Sequence, residues 1–300
     1  MKTDMTQGKP VKVLLGFTIP VFIGNVFQQF YNMVDAVVVG KFVGTKALAA
    51  VGSTGTIIFL IIGFLLGLTA GFTVLTAQKY GAGKMDEMRQ TVGNALILTA
   101  LVSAVMTAVS MTGMHALLKF MHTPDDIFKD AYAYVMIICG GIFAQALYNI
   151  LASILRALGN SKVPLYFLIL SAMLNIVLDL VFIIVFKLGA PGAAWATIIS
   201  QGVSGVLCLV YIWKFVPELR MKKEDWYFNR DIAVKQISVG IPMGLQFSIT
   251  AIGTIIVQGA VNVYGAVYMA GFSAAGKIQN IITMVEIGRA SCRERVSSPV

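Results

Sequence analysis

The chain has little charge for its length, and this scarcity limits what it can be. Of its 300 residues, 12% are charged and 57% are hydrophobic, and its mean hydropathy is +0.81. A soluble domain of this size cannot bury so much apolar surface without lipid. The composition therefore excludes an ordinary soluble domain and predicts an all-α polytopic membrane protein.

Cysteine and histidine are also scarce, with three and two residues. Cys139 and Cys208 stand alone in apolar runs, and no C-x-x-C pair occurs. His115 and His122 have no acid or cysteine at ligand spacing. The phosphate-binding motif G-x-x-x-x-G-K-[ST] is absent, and no set of nucleophile, base and orienting group can be assembled. We expect no enzyme activity, no cofactor, and no metal beyond a possible Na⁺.

The basic residues that give the net charge of +9 lie in short loops between apolar runs. They form no basic stripe interleaved with aromatic residues, so we expect membrane lipid as a partner and no nucleic acid. Most loop Lys and Arg fall on the side that holds the N-terminus. This asymmetry predicts a multi-pass protein of the plasma membrane with a cytoplasmic N-terminus.

Eight apolar runs are long enough to cross about 30 Å of hydrocarbon. They cover residues 13–39, 48–78, 91–118, 131–155, 163–187, 192–214, 235–262 and 266–286. The dipeptide Ile19-Pro20 recurs as Ile241-Pro242 where the seventh run begins, which favours a two-lobe plan of six spans each. Polar residues from 286 onward resemble adapter-derived read-through. We predict a first lobe at 1–214, a cytoplasmic linker at 215–234, about two helices of a second lobe at 235–285, and a non-native tail at 286–300.

Two carboxylates lie inside predicted spans, where an ionised side chain is unfavourable and usually functional. These are Asp35 in the first span and Asp179 in the fifth. Asn175 precedes Asp179 by four residues and so shares its helix face. With Thr197 in the sixth span, both acids lie roughly 8 to 12 Å below the same membrane surface at about 1.5 Å per residue. The spacing predicts one layer containing Asp35, Asn175, Asp179 and Thr197.

Two carboxylates so close together need a cation or a shared proton between them. The predicted layer is therefore a binding site for a coupling ion, and its oxygens suit Na⁺ and H⁺ equally well. Gln28, seven residues before Asp35, and Lys277 in the eighth span are candidates to line a substrate cavity. Pro20 frees a backbone carbonyl and is the candidate hinge of the first span.

Several short motifs in order carry a family resemblance that covers the chain to about residue 284. They are Ile19-Pro20, Gln28, Asp35, Gly40 and Gly44, then QKYGAG at 78–83, LRALGN at 155–160 with Pro164, and GAAWAT at 192–197 after Asn175 and Asp179. Together they resemble the MATE (multidrug and toxic compound extrusion) family. The chain then looks like a C-terminally truncated member with a foreign tail.

The resemblance implies twelve helices in two six-helix lobes around a V-shaped cavity. It implies export of organic cations or other amphipathic drugs in exchange for Na⁺ or H⁺, by a protein that we expect to be monomeric. It also implies a first-lobe cation site at Asp35, Asn175, Asp179 and Thr197. One branch of the family carries a glutamate in the seventh span, whereas residues 246–250 here contain no acid. This departure favours coupling in the first lobe.

Two other readings remain open. A flippase for lipid-linked precursors of a related two-lobe superfamily would line its cavity with several Arg or Lys, and the first six spans offer almost none. A channel or a non-transporting membrane protein would not need the paired acids or alternating access. Obligatory exchange of substrate for ion distinguishes a transporter from a channel and from a non-transporting protein.

Overall fold

The computed structural model describes residues 10–221, 223–265, 267–272, 274–276 and 279. These residues form helices with no strand among them, as the composition predicts. A π-helical segment, Val181–Val185, extends the sixth helix, and 3₁₀ turns occupy Pro217–Leu219 and Lys223–Trp226. The α-helices are α1 Pro10–Phe42, α2 Thr45–Gly81, α3 Met85–Phe120, α4 Asp125–Gly140, α5 Ile142–Ala157, α6 Lys162–Leu180, α7 Ala190–Phe215 and α8 Arg230–Asn262.

Five helices of the described chain are long and apolar enough to cross a membrane: α2, α3, α6 with its π-helical extension, α7 and α8. The bent pair α4 and α5 counts as a sixth if it is one span. α1 is not among these helices, although it has 33 residues. Its hydropathy is lowered by a run of polar side chains at Asn25, Gln28, Gln29, Asn32 and Asp35.

The predicted fourth span, residues 131–155, is not one straight helix. It begins at Asp125, and its two halves meet at a bend of 48° between Gly140 and Ile142. At Gly141 a Cβ would overlap the side chain of Ile198 on α7, so the bend brings backbone against a neighbouring helix. Gly141 explains the break, because only a residue without a side chain permits this approach.

Short connections make neighbouring helices antiparallel. The chain between α2 and α3 turns at Gly83, whose φ of +72° is unfavourable for other residues. Lys79, Lys84, Arg89 and Lys214 lie where α2 ends, α3 begins and α7 ends. We call this side the basic end of the bundle; α1 ends at the opposite end.

Apolar side chains form several buried clusters between the helices and also cover much of the outside. One cluster joins α2, α3, α5 and α7 around Phe72, Met88 and Ile154. Large apolar residues such as Phe120, Trp213 and Ile249 are more than 70% exposed. Because exposed apolar surface on this scale is unfavourable in water, these faces are lipid-facing.

The linker and the seventh predicted span differ in detail from the prediction. α8 begins at Arg230, within the predicted linker at 215–234, and continues through Pro242. It packs along α2 in the most extensive helix contact of the described chain. Residues 267–272 and 274–276 are helical within the predicted eighth span. Lys277 and the predicted tail at 286–300 lie outside the described residues.

Candidate cation-binding site

The four residues predicted to share one layer come from three helices of the first bundle. Asp35 lies on α1, Asn175 and Asp179 on α6, and Thr197 on α7. Asp179 is fully buried, and Asn175 and Asp35 are 1% and 8% exposed. Thr197 is half-buried. We call these four side chains the oxygen layer.

Small residues bring α7 close to α6 and α1 beside this layer. Ala190, Ala193 and Ala194 are buried and pack in one cluster with Val38 and Val39 of α1. The π-helical segment begins two residues after Asp179, and such segments often occur at functional sites. The GAAWAT motif at 192–197 therefore places Thr197 against α6.

Hydrogen bonds connect one side of the oxygen layer. Asn175 Nδ2 donates to Thr197 Oγ1 over 3.4 Å, and Thr197 Oγ1 donates to the Ala193 carbonyl at 3.0 Å. The carboxyls of Asp35 and Asp179 lie within reach of a shared proton. With both acids ionised they would repel each other in a site of low dielectric constant.

Three buried oxygens of the layer receive no hydrogen bond from a donor in the described part of the chain. They are Oδ1 and Oδ2 of Asp179 and Oδ1 of Asn175. Buried polar atoms are nearly always satisfied in folded proteins, so orphaned acceptors indicate a missing donor or ion. Carboxylate, amide and hydroxyl oxygens are the ligands that a small hard cation prefers, and a carboxylate also accepts a proton.

Sequence reasoning missed three members of the surrounding polar network. The Tyr31 hydroxyl hydrogen-bonds with the side chains of Gln28 and Gln201 and lies in the electrostatic field of both acids. Tyr134, 6% exposed, also lies in that field. Tyr31 precedes Asp35 by four residues and Gln201 follows Thr197 by four, so helical spacing could have found both. No comparable signal points to Tyr134 on α4.

The remaining predicted site residues have less specific surroundings. Gln28 is half-buried, and its side chain hydrogen-bonds with Tyr31. Pro20 is buried inside α1, which stays helical on both sides of it. Among the described residues, no cluster of three or more His, Cys, Asp or Glu side chains could hold a metal ion.

Comparisons with known proteins agree on one family. The MatE family model matches residues 20–181. "Probable multidrug resistance protein YpnP" of Bacillus subtilis is 32% identical over 283 residues, which cover 94% of this chain and 63% of that protein. The chain therefore spans less than two thirds of the length of this relative.

Solved structures give the same result. An outward-facing multidrug resistance MATE family transporter of the MOP superfamily is 26% identical, with a TM-score of 0.84 over 96% of this chain and 65% of that one. The inward-facing conformation of such a transporter is also 26% identical, with a TM-score of 0.80 over 87% of this chain and 60% of that one.

Proposed function

Because the chain belongs to the MatE family, we propose that it is part of a secondary active multidrug efflux antiporter. The transported compounds are small organic cations or amphipathic drugs, and the counter-ion is Na⁺ or H⁺. The protein lies in the plasma membrane as a monomer, with the basic end in the cytoplasm. Excess Lys and Arg at that end support this orientation.

The observation that carries the proposal is the set of donor-free oxygens on Asp179 and Asn175. A bound Na⁺ would satisfy them, whereas a proton on Asp179 would turn one of them into a donor, and either would relieve repulsion between Asp179 and Asp35. The net charge of the site differs between its empty and its occupied state. The helices that carry the two acids therefore pack together more favourably when the site is occupied. Such a difference is what an ion needs to shift a conformational equilibrium.

The layer joins helices that can respond to binding. Asp35 belongs to α1, whereas Asp179 and Thr197 belong to α6 and α7. Cation binding therefore draws α1 toward α6 and α7, and Pro20 provides the position at which α1 bends. Movement of α1 narrows the cavity and expels substrate to the outside. Release of the cation to the cytoplasm then restores the starting arrangement.

The polar chemistry of the first bundle favours this function over a lipid-precursor flippase. A flippase needs several cations around its cavity to hold a diphosphate. The oxygen layer and its neighbours Tyr31, Gln28 and Gln201 instead present carboxylate, amide and hydroxyl groups. These groups attract a cation.

Cation binding to the purified chain in lipid nanodiscs tests the site directly. Binding of radioactive Na⁺ and proton release on adding Na⁺ would be measured at several pH values. We expect Asp179→Asn to lower Na⁺ affinity by roughly tenfold or more, because it removes a ligand charge. Asp130→Asn is the matched control, since Asp130 is exposed on α4.

Each outcome has a distinct meaning. Saturable Na⁺ binding lost only in Asp179→Asn supports Na⁺ coupling, whereas proton uptake lost only in that variant supports H⁺ coupling. Equal binding of both ions by the two variants would contradict the site. In vesicles, counterflow of a fluorescent organic cation then separates an exchanger from a channel.

A further inference from the structure

Between the basic end and the middle of the bundle, α8 touches α2 backbone to backbone. Gly71 faces Gly240 and Gly67 faces Gly244, four residues apart in both helices. A Cβ at Gly71 would overlap the Gly240 backbone, and one at Gly67 would lie 2.5 Å from the Met243 carbonyl oxygen. Small residues at this spacing allow the closest packing between membrane helices. No space remains along this seam for a cavity.

One buried amide extends the seam toward the basic end. Gln236, one turn before Gly240, is fully buried. Its Nε2 donates to the Phe72 carbonyl of α2 at 3.1 Å and to the Thr91 carbonyl of α3 at 2.8 Å. A single side chain therefore ties α8 to two helices of the first bundle.

The same amide is only half satisfied. Its Oε1 is buried and receives no hydrogen bond from the part of the chain that the structure describes. A buried acceptor without a donor disfavours the closed arrangement, and water can supply that donor once α8 moves away. The two donated hydrogen bonds therefore stabilise the contact of α8 with α2 and α3, whereas the unsatisfied oxygen weakens it. A permanent anchor would be expected to satisfy both ends of the amide.

The segment before α8 rests on α3 beside this contact. Arg89 Nε lies 3.5 Å from Asp225 Oδ2, with both side chains largely buried. Asn229 donates its backbone N–H to Asn94 Oδ1 at 3.1 Å. A Cβ at Gly93 would overlap the Asp225 carbonyl oxygen. These contacts bring the start of α8 to the position from which Gln236 reaches both carbonyls.

We propose that Gln236 is the latch of a gate that closes the basic end of the transport pathway, and that the glycine seam is the closed face of this gate. The inference rests on the proposed transport cycle and adds to it that α8 separates from α2 and α3 when the pathway opens to the cytoplasm. Opening breaks both Gln236 hydrogen bonds together and lets water reach the amide. The gate consequently has two discrete states.

Distances between spin labels test the gate without measuring transport. Labels at Ala82, just after α2, and at Val234, near the start of α8, would be placed in a chain whose native cysteines are replaced by alanine; both positions are exposed. The parent chain in nanodiscs should show mainly the short distance. Gln236→Leu should raise the population ratio of long to short distances about tenfold, because the two donated hydrogen bonds that it removes outweigh the one unsatisfied acceptor that it also removes.

Matched controls come from the same helix. Gln246 is exposed, so Gln246→Leu should leave the distance distribution unchanged. Gly240→Leu should favour the long distance even with Gln236 present, because the leucine side chain would overlap the Phe72 ring. Gly253 has open space around it, so Gly253→Leu should behave as the parent. Gln236→Asn, which keeps the amide but is shorter, should lie between the parent and Gln236→Leu.

A single short distance in Gln236→Leu and Gly240→Leu, with native helicity, would show that α8 is fixed to the first bundle and would overturn the gate. Should Gln236→Leu fail to fold, the Gln236→Asn and Gly240→Leu distances decide. Cation binding provides the separate measure of the proposed function. A chain that opens when Gln236 is replaced but binds no cation supports the gate and contradicts the proposed coupling. A chain that binds a cation but stays closed supports the coupling and contradicts the gate.

Discussion

Asn175 and Thr197 are joined by a hydrogen bond of 3.4 Å between α6 and α7. This bond orients the Asn175 amide so that its nitrogen faces the threonine. Its carbonyl oxygen then remains without a donor from the described residues. The pair shows how a neutral contact between two helices can prepare an oxygen for a cation.

Replacing Thr197 by valine should therefore weaken cation binding without loss of fold. The change removes the acceptor of the Asn175 amide, so the carbonyl oxygen is no longer held in one direction. We expect Na⁺ or H⁺ affinity to fall about tenfold, as for other groups that orient ligands. Titration of the purified chain measures it.

Thr112→Val is the control, because exposed Thr112 bonds the carbonyl four residues earlier just as Thr197 does. Equal affinity in Thr197→Val and Thr112→Val would remove Thr197 from the site.

The bend between α4 and α5 predicts different effects of alanine at two adjacent glycines. Gly141→Ala should lower the free energy of unfolding by about 1–3 kcal/mol, because the new methyl group would overlap Ile198. Gly140→Ala should change it little, since nothing lies within 4 Å of a Cβ there. Unfolding by sodium dodecyl sulfate in mixed micelles gives both values. Similar values for the two variants would contradict this account of the bend.

Tyr148 connects α5 to α6 through its hydroxyl, which donates to the Pro164 carbonyl at 3.1 Å in a buried position. Tyr148→Phe should lower the free energy of unfolding by about 1 kcal/mol, because this buried hydrogen bond is lost. Tyr166 is 64% exposed, so Tyr166→Phe serves as the comparison in the same assay. An unchanged Tyr148→Phe protein would mean that another donor replaces the hydroxyl.

The ion pair of Arg89 with Asp225 should contribute to the free energy of unfolding, and added salt should reduce this contribution only weakly. Both side chains are shielded, with 15% and 7% exposure, so Asp225→Asn should lower the free energy of unfolding by about 1–3 kcal/mol. Arg89 also pairs with Asp86, whose side chain is 82% exposed. Asp86→Asn should have little effect. If Asp225→Asn and Asp86→Asn lowered the free energy of unfolding equally, and high salt abolished both effects, the Arg89–Asp225 pair would behave as a surface ion pair and the prediction would be wrong.

The sequence predicted which residues share a face of one helix better than it predicted which residues meet between helices. Asn175 and Asp179 share a face because four residues separate them, and depth below the surface led to Asp35 and Thr197. The structure brings all four together, while their binding role stays a prediction. Tyr134 could not be found this way, because its proximity to the acids depends on how α4 packs against α2 and α7. The bend at Gly141 was missed for the same reason.

The amino-acid sequence alone determined that this is an all-α membrane protein with acids inside its spans. Hydropathy and helical period are local properties, and the transfer of apolar side chains from water dominates the choice of environment. Only the tertiary structure decided which oxygens lack donors, where α4 and α5 bend, and that Gln236 reaches two carbonyls. These facts depend on the close approach of residues far apart in the chain, which interhelical packing sets.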